Sequence, residues 1–234
     1  MKDNIKIVFD LIGAEDNLKK STLDFLQTKM QSERKNVRRK MVQRVALVFA
    51  SFFLLLFSYN IYFSKTMYID IDINPSIELV VNRFDRVIGV HAYNEQGEAF
   101  LTELSVMHQS YESVLRLFTE LAIENGLLSD GGLVSVTLQS EDKEMRSADL
   151  KDTIVTVSQG HHTVVDVEAF SVDSETRHQA HGLNLTPAKY LSILALQEID
   201  PTASMEGCRG HTIGEIRALT KEHHNKGRHG NKRT

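Results

Sequence analysis

The residue pair with the most distinctive chemistry is Asn74-Pro75, inside the run YIDIDINPSIELVVNRFDRVIGVHAYNE from Tyr68 to Glu95. An asparagine side-chain amide can fold back onto its own backbone carbonyl. The usual ring closure, through the nitrogen of the next residue, is closed because Pro75 has no N–H. Attack by the Asn74 side-chain nitrogen on the Asn74 carbonyl carbon would instead expel the proline nitrogen and cut the chain. The step is slow in a free peptide, but a fold that holds the attack geometry can contribute about 7–11 kcal/mol. Asp72 and Ser76 flank the bond and are candidates to take or give protons. The plain alternative is an inert bond, since Asn-Pro is a common turn dipeptide.

Other chemistry has little support. There is no GxSxG, no HExxH and no phosphate-cradling glycine loop, and Gly131-Gly132 has no lysine or hydroxyl at P-loop spacing. The late histidines, His161, His162, His178, His181, His211, His223, His224 and His229, read as surface and tail residues without metal-ligand spacing. A single cysteine, Cys208, excludes an internal disulfide and a Cys/His zinc cluster. The expectation is no cofactor, no metal and no enzyme, apart from a single-turnover self-cleavage at Asn74-Pro75.

The elements around this pair follow from periodicity. Met67, Ile69, Ile71 and Ile73 alternate with Tyr68, Asp70 and Asp72, a strand with one buried face. Asn74-Pro75 interrupts it and Ile77–Asn82 resumes. Arg83-Phe84-Asp85 turns, Val87–Tyr93 runs back, and Asn94-Glu95-Gln96-Gly97 reads as a second turn. A helix is predicted at about Tyr111–Asn125 with Gly126 as its cap. A strand follows at Leu133–Gln139, a helix at about Lys143–Ser158 and a strand at Thr163–Phe170. The order β-β-β-α-β-α-β predicts a small α+β domain, one sheet with helices on one face, over residues 64–172. Residues 173–222 read as a helical pair. Its first member is capped by Thr186 with Pro187 at the first position; its second follows Thr212. Residues 223–234 are polar, basic and expected to be disordered.

Upstream, the chain changes environment. Val45–Phe63 runs about 19 residues without a charge, long enough to cross a bilayer as a helix. Residues 1–44 carry 11 Lys+Arg against 6 Asp+Glu, a net of +5 in a chain whose total is -4, so the remainder sums to -9. The cluster Arg34, Lys35, Arg38, Arg39, Lys40 and Arg44 alone would suit nucleic acid or anionic lipid. Beside an apolar run it sets orientation: residues 1–44 cytoplasmic, residues 64–234 outside, in a single-pass cell-membrane protein. A cleaved signal peptide fits poorly, because the basic head is too long and no small-x-small site follows. The head reads as two amphipathic helices, with apolar stripes Ile5, Val8, Phe9, Ile12 and Leu18, Phe25, Leu26, Met30. About 30 residues cannot form a stable core alone. These helices either lie on the membrane, self-associate or grip a partner protein.

The run Ile69–Leu79 (IDIDINPSIEL), then NRFDRVI and AYN, resembles the juxtamembrane domain of RsgI-like anti-sigma factors. The later Leu-Thr-Pro-Ala-Lys-Tyr helix and Ile213-Gly214-Glu215-Ile216 are similar too, so the resemblance covers roughly residues 45–222. The helical head differs from the small β-rich head of the best-known members and looks like that of clostridial relatives. The resemblance does not extend to the carbohydrate-binding module that some members carry, and none is expected within residues 173–234. The resemblance implies a sigma factor as cytoplasmic partner, with no direct nucleic-acid binding. It also implies self-cleavage at Asn74-Pro75, fragments that stay paired until a signal parts them, and release of the head by membrane proteases within the lipid bilayer. The extracytoplasmic ligand stays unspecified. The competing expectations are a membrane-tethered structural or cell-envelope-binding protein and, last, an exported enzyme.

Overall fold

The computed structural model describes residues 16–140 and 143–230. Ile5, Val8, Phe9 and Ile12 lie outside the described residues. The chain divides into two units, Met1–Tyr59 and Asn60–Thr234.

Helix α1 spans Asp16–Tyr62. The sequence offers no glycine or proline between Asp16 and Tyr62, so neither strong helix breaker interrupts it. The second head helix, the basic cluster and the apolar run, read separately in the sequence, are one continuous helix. Its part Arg38–Tyr62, 25 residues, is long and apolar enough to cross a membrane. At 1.5 Å per residue it reaches about 38 Å, against a hydrocarbon core of about 30 Å. Large apolar side chains stand exposed along it, Leu47, Leu55 and Phe57 among them. In the head portion Leu18, Leu23, Phe25, Leu26 and Met30 are likewise exposed.

The second unit holds one five-stranded sheet: β1 Lys65–Asp72, β2 Ser76–Asn82, β3 Val87–Ala92, β4 Leu133–Ser140 and β5 Asp166–Ser171. The spatial order is β3-β2-β1-β4-β5, so β1 is the central strand. It pairs antiparallel with both β2 and β4, while β4 and β5 run parallel. Between β3 and β4 lie α2 Glu95–Glu103 and α3 Tyr111–Glu124; α4 Lys143–Gly160 connects β4 to β5. The mixed α+β character and the five strands agree with expectation; the order gains a helix. Asn94-Glu95-Gln96-Gly97, expected as a turn, is the capped start of α2, because the Asn94 side chain accepts from Gly97 N–H and the chain continues helically.

The alternation on β1 sorts its two faces. Ile69, Ile71 and Ile73 enter a core with Ile77, Leu79 and Val81 of β2, Val136 and Leu138 of β4, and Val114, Leu115, Phe118, Leu150 and Ile154 of α3 and α4. The opposite face carries Asp70, Asp72, Ser76, Glu78, Ser135 and Thr137, and every one of these is buried. Their cover is the C-terminal segment: α5 Ser174–Gly182, α6 Pro187–Ile199, the single turn α7 Met205–Cys208, and α8 Ile213–Gly230. This segment has a small core of its own around Leu185, Ile193, Leu196, Cys208 and Ile216. Two expectations change here. The extension is more than a pair of helices and closes the second face of the sheet. Residues 223–230, expected to be disordered, continue α8; residues 231–234 lie outside the described residues.

Candidate functional site

Asn74 sits at the tip of a three-residue loop. Asp72 and Ser76 are register partners, leaving Ile73, Asn74 and Pro75 to turn the chain from β1 to β2. So tight a loop needs one residue of left-handed sign. Asn74 supplies it, with φ 100°, a region L-residues enter at a cost of order 1–3 kcal/mol. The Ile73 N–H donates to the Pro75 carbonyl at 3.1 Å, pinning the loop from within. Asn74 is exposed while Pro75 is buried, so the strained residue faces solvent and its leaving group faces protein.

The residue that organises this tip is Asn94. Its Oδ1 accepts from Ser76 N–H at 3.2 Å and from Gly97 N–H at 2.8 Å. Its Nδ2 donates to Asn74 Oδ1 at 3.0 Å and reaches Ser76 Oγ at 3.5 Å. Binding the Asn74 side-chain oxygen fixes the orientation of that amide and leaves the Asn74 nitrogen unencumbered by this contact. Tyr93 N–H closes the attachment by donating to Ser76 O at 3.0 Å. The approach of α2 to the hairpin is close enough to require glycine: a Cβ on Gly97 would stand 2.6 Å from Ser76 O. The sequence signal for Asn94 was present in the AYN motif, but its turn-like surroundings hid its role as cap and clamp.

Asp72 and Ser76, the two residues expected to assist, are drawn elsewhere by their first contacts. Asp72 Oδ2 accepts a 2.6 Å hydrogen bond from Thr186 Oγ1 and lies 4.0 Å from Lys189 Nζ. Ser76 Oγ lies 3.5 Å from Asn94 Nδ2, the same nitrogen that bonds Asn74. Beyond the tip opens a cavity of about 370 Å³, lined by Asn74, Asn94, Asn184, Thr186, Lys189 and Arg209 among others. Hairpin and C-terminal extension thus share a polar, solvent-accessible space.

Behind the tip lies the buried polar face. Asp70 and Glu78 are register partners on β1 and β2. Tyr93 donates to Asp70 Oδ1 at 2.6 Å and Thr137 to Asp70 Oδ2 at 3.4 Å. Arg177 of α5 engages Glu78 Oε2 through Nη2 at 2.5 Å and Nε at 2.9 Å, and its guanidinium lies 3.5 Å from the centre of the Tyr68 ring. Three buried carboxylates therefore face two cations, Arg177 and Lys189. Burial, and then the neighbouring Glu78 charge, push the Asp70 carboxyl up to about 7 against the pull of Tyr93, Arg177 and Thr137. Burial and the Asp70 charge push the Tyr93 hydroxyl upward, so it stays a donor.

Of the residues expected to bind a partner, Leu18, Phe25 and Leu26 lie exposed on α1.

Fold and site together define a membrane-length helix joined to an α+β domain whose central strand ends in a strained Asn-Pro tip. Residues 66–195 match the model of the anti-sigma factor RsgI-like central domain, more than half of the chain, and the chain belongs to this family. Relatives include anti-sigma-I factor RsgI7 of Acetivibrio thermocellus, 28% identical over 180 residues, covering 75% of this chain and 33% of that protein. RsgI9 of the same organism is 28% identical over 193 residues, covering 74% of this chain and 27% of the relative. RsgI of Bacillus anthracis is 34% identical over 91 residues, covering 38% of this chain and 21% of the relative. The chain thus spans about a third or less of the length of these relatives.

Proposed function

We propose that this chain is a membrane-bound anti-sigma factor, with residues 1–44 in the cytoplasm and residues 64–234 outside. The head sequesters a sigma factor through its apolar stripe, Ile5, Val8, Phe9, Ile12, Leu18, Phe25 and Leu26. The observation that carries this reading is the family match beginning at residue 66, directly after the membrane-length helix. Leu18, Phe25 and Leu26, exposed on α1, support a partner on the head. Co-purification of a sigma factor with residues 1–44, lost in Phe25→Asp, is the expected result; a head that recovers no sigma factor contradicts the reading.

In this account the outside domain cuts itself once. Asn74 Nδ2 bonds to the Asn74 carbonyl carbon, the bond to the Pro75 nitrogen breaks, and a proton from the amide passes to that nitrogen. The N-terminal fragment then ends in a cyclic imide, which water opens. The backbone strain at Asn74 and the hold of Asn94 on its side chain favour this geometry.

Cutting there leaves β1 on the N-terminal fragment as the middle strand of the sheet. Seven register pairs with β2 and six with β4 hold it, together with the Ile69/Ile71/Ile73 face and the contacts of Asp72 to α6. Such a joint persists without a covalent bond and parts when the domain is pulled or remodelled. A membrane protease then trims the stub, and an intramembrane protease frees the head with its sigma factor. Fragments that co-purify until denatured are the expected outcome. Fragments that separate spontaneously in native buffer contradict this part of the account.

A further inference from the structure

The edge of the domain next to the end of α1 carries an unusual surface. Asn82 Nδ2 donates to the Tyr62 carbonyl at 2.8 Å, satisfying one of the orphan acceptors at the helix end. The same Asn82 accepts, through Oδ1, from Phe84 N–H at 2.9 Å and Arg86 N–H at 3.0 Å, stiffening the β2–β3 turn. The Tyr62 ring stacks on Phe84 with centroids 6.3 Å apart, and Tyr62 Oη hydrogen-bonds His108 Nδ1 at 3.0 Å. The 104–110 loop is zipped to the same turn, by His108 N–H to Val87 O at 2.7 Å and Val87 N–H to Gln109 O at 2.9 Å. Two loops and the last turn of α1 are therefore one assembly.

This assembly exposes its apolar side chains. Phe84 is 53% exposed, Met107 42% and Phe63 40%, and Lys65, Arg83 and Arg86 beside them are exposed too. An adjacent cavity of about 780 Å³ is lined by Lys65, Arg83 and Arg146 with one acid, Asp173. Arg146 is ion-paired with Asp85 of the same turn at 2.6 Å, and large apolar groups beside Lys65, Arg83 and Arg86 suit the boundary between acyl chains and headgroups. Distance agrees. Tyr62 ends the apolar helix, the polar zone of each leaflet is about 6 Å thick, and Phe84 stands one ring contact from Tyr62.

We propose that the Phe84–Met107 edge is a second membrane anchor, lying in the interface of the leaflet that the domain faces. Phe84, Met107 and Phe63 enter the headgroup–acyl boundary, while Lys65, Arg83 and Arg86 meet lipid phosphates. The inference rests on α1 being a membrane span. Its consequence is specific to a cut chain: the fragment beginning at Pro75 has lost α1 but keeps Phe84, Arg83, Arg86 and Met107, and so keeps hold of the bilayer.

The chain has no tryptophan, so each introduced tryptophan reports alone. The full chain is reconstituted in vesicles of phosphatidylcholine and phosphatidylglycerol with and without brominated acyl chains, as Phe84→Trp, Phe53→Trp and Val164→Trp. Phe53 lies in the apolar run of α1. Val164 is 74% exposed at the opposite end of the strands, where Gly131 N–H meets its carbonyl, roughly 25 Å away along an eight-residue strand. The expected result is a blue-shifted, quenched emission for Phe84→Trp and Phe53→Trp and neither change for Val164→Trp. Quenching of Phe53→Trp with a Phe84→Trp signal like that of Val164→Trp overturns the second anchor and leaves the span intact. An unquenched Phe53→Trp overturns the span and the anchor with it.

Discussion

Thr186 Oγ1 donates a 2.6 Å hydrogen bond to Asp72 Oδ2 across 114 residues of sequence. The same hydroxyl oxygen accepts from Lys189 N–H at 3.2 Å and so caps α6. One side chain thereby starts a helix of the C-terminal extension and fastens it to the central strand. The extension bears on the part of the domain that self-cleavage would detach.

Thr186→Val should deprive buried Asp72 of its hydroxyl donor and remove the cap of α6. A buried acceptor left without its donor costs about 1–3 kcal/mol. The unfolding midpoint of the full chain in detergent should fall accordingly, and proteolysis near residues 183–186 should quicken. Thr186→Ser, which keeps the hydroxyl, should behave like wild type.

Stability should decline with pH because Asp70 holds its proton more tightly when folded. Its carboxyl rises from 3.8 to about 7 on folding. The folded state therefore binds more protons than the unfolded state across that interval. The contribution is complete below about 3.8, falls as pH rises, and is lost above about 7, an upper figure of about 4 kcal/mol. Asp70→Asn should flatten this slope in denaturant titrations between about pH 4 and pH 8. An unchanged slope in Asp70→Asn would place the titrating group elsewhere.

Asn94→Ala should slow cutting at Asn74 by about 10- to 100-fold, the usual penalty for losing orientation at a reacting group. Gly97→Ala should act in the same direction, because its Cβ would meet Ser76 O at 2.6 Å and push α2 off the hairpin. Time courses of fragment appearance after cell-free synthesis measure both. Wild-type rates in both variants would remove Asn94 from the mechanism.

Ile71→Asp should release the head constitutively. Ile71 is fully buried on the core face of β1, opposite Ile77 and Val136. A carboxylate there costs about 3 kcal/mol or more, concentrated on the one strand that must stay in place. Sigma-dependent reporter transcription should be on without any signal. Unchanged transcription counts against the strand as the joint.

Much of this was legible in the residues because local patterns determine it. The isoleucines of β1 repeat every second position, Gly126 ends a helix, and Thr186-Pro187 starts one. What was not legible depends on partners distant in sequence. Asp70 and Asp72 alternate with isoleucines as a solvent face would, yet they are buried, since their cover arrives about 100 residues later. Helix α5 has almost no apolar residue to announce it, with Ala180 as its buried member, and its working residue Arg177 is indistinguishable from a surface arginine. Asn94 fits a turn and a helix cap equally well; only the position of Ser76 decides. At the other end, the uninterrupted run from Ala14 to Asn74 had no breaker, and a basic cluster mid-way does not end a helix.

Self-cleavage at Asn74–Pro75 is tested most directly by an immunoblot of the chain tagged at both ends, wild type beside Asn74→Ala. Two fragments are expected in wild type, one of about 8 kDa before its tag, and a single full-length band in the variant. A single full-length band in both would contradict it, leaving the strained tip as a hairpin turn and the domain to signal without a cut.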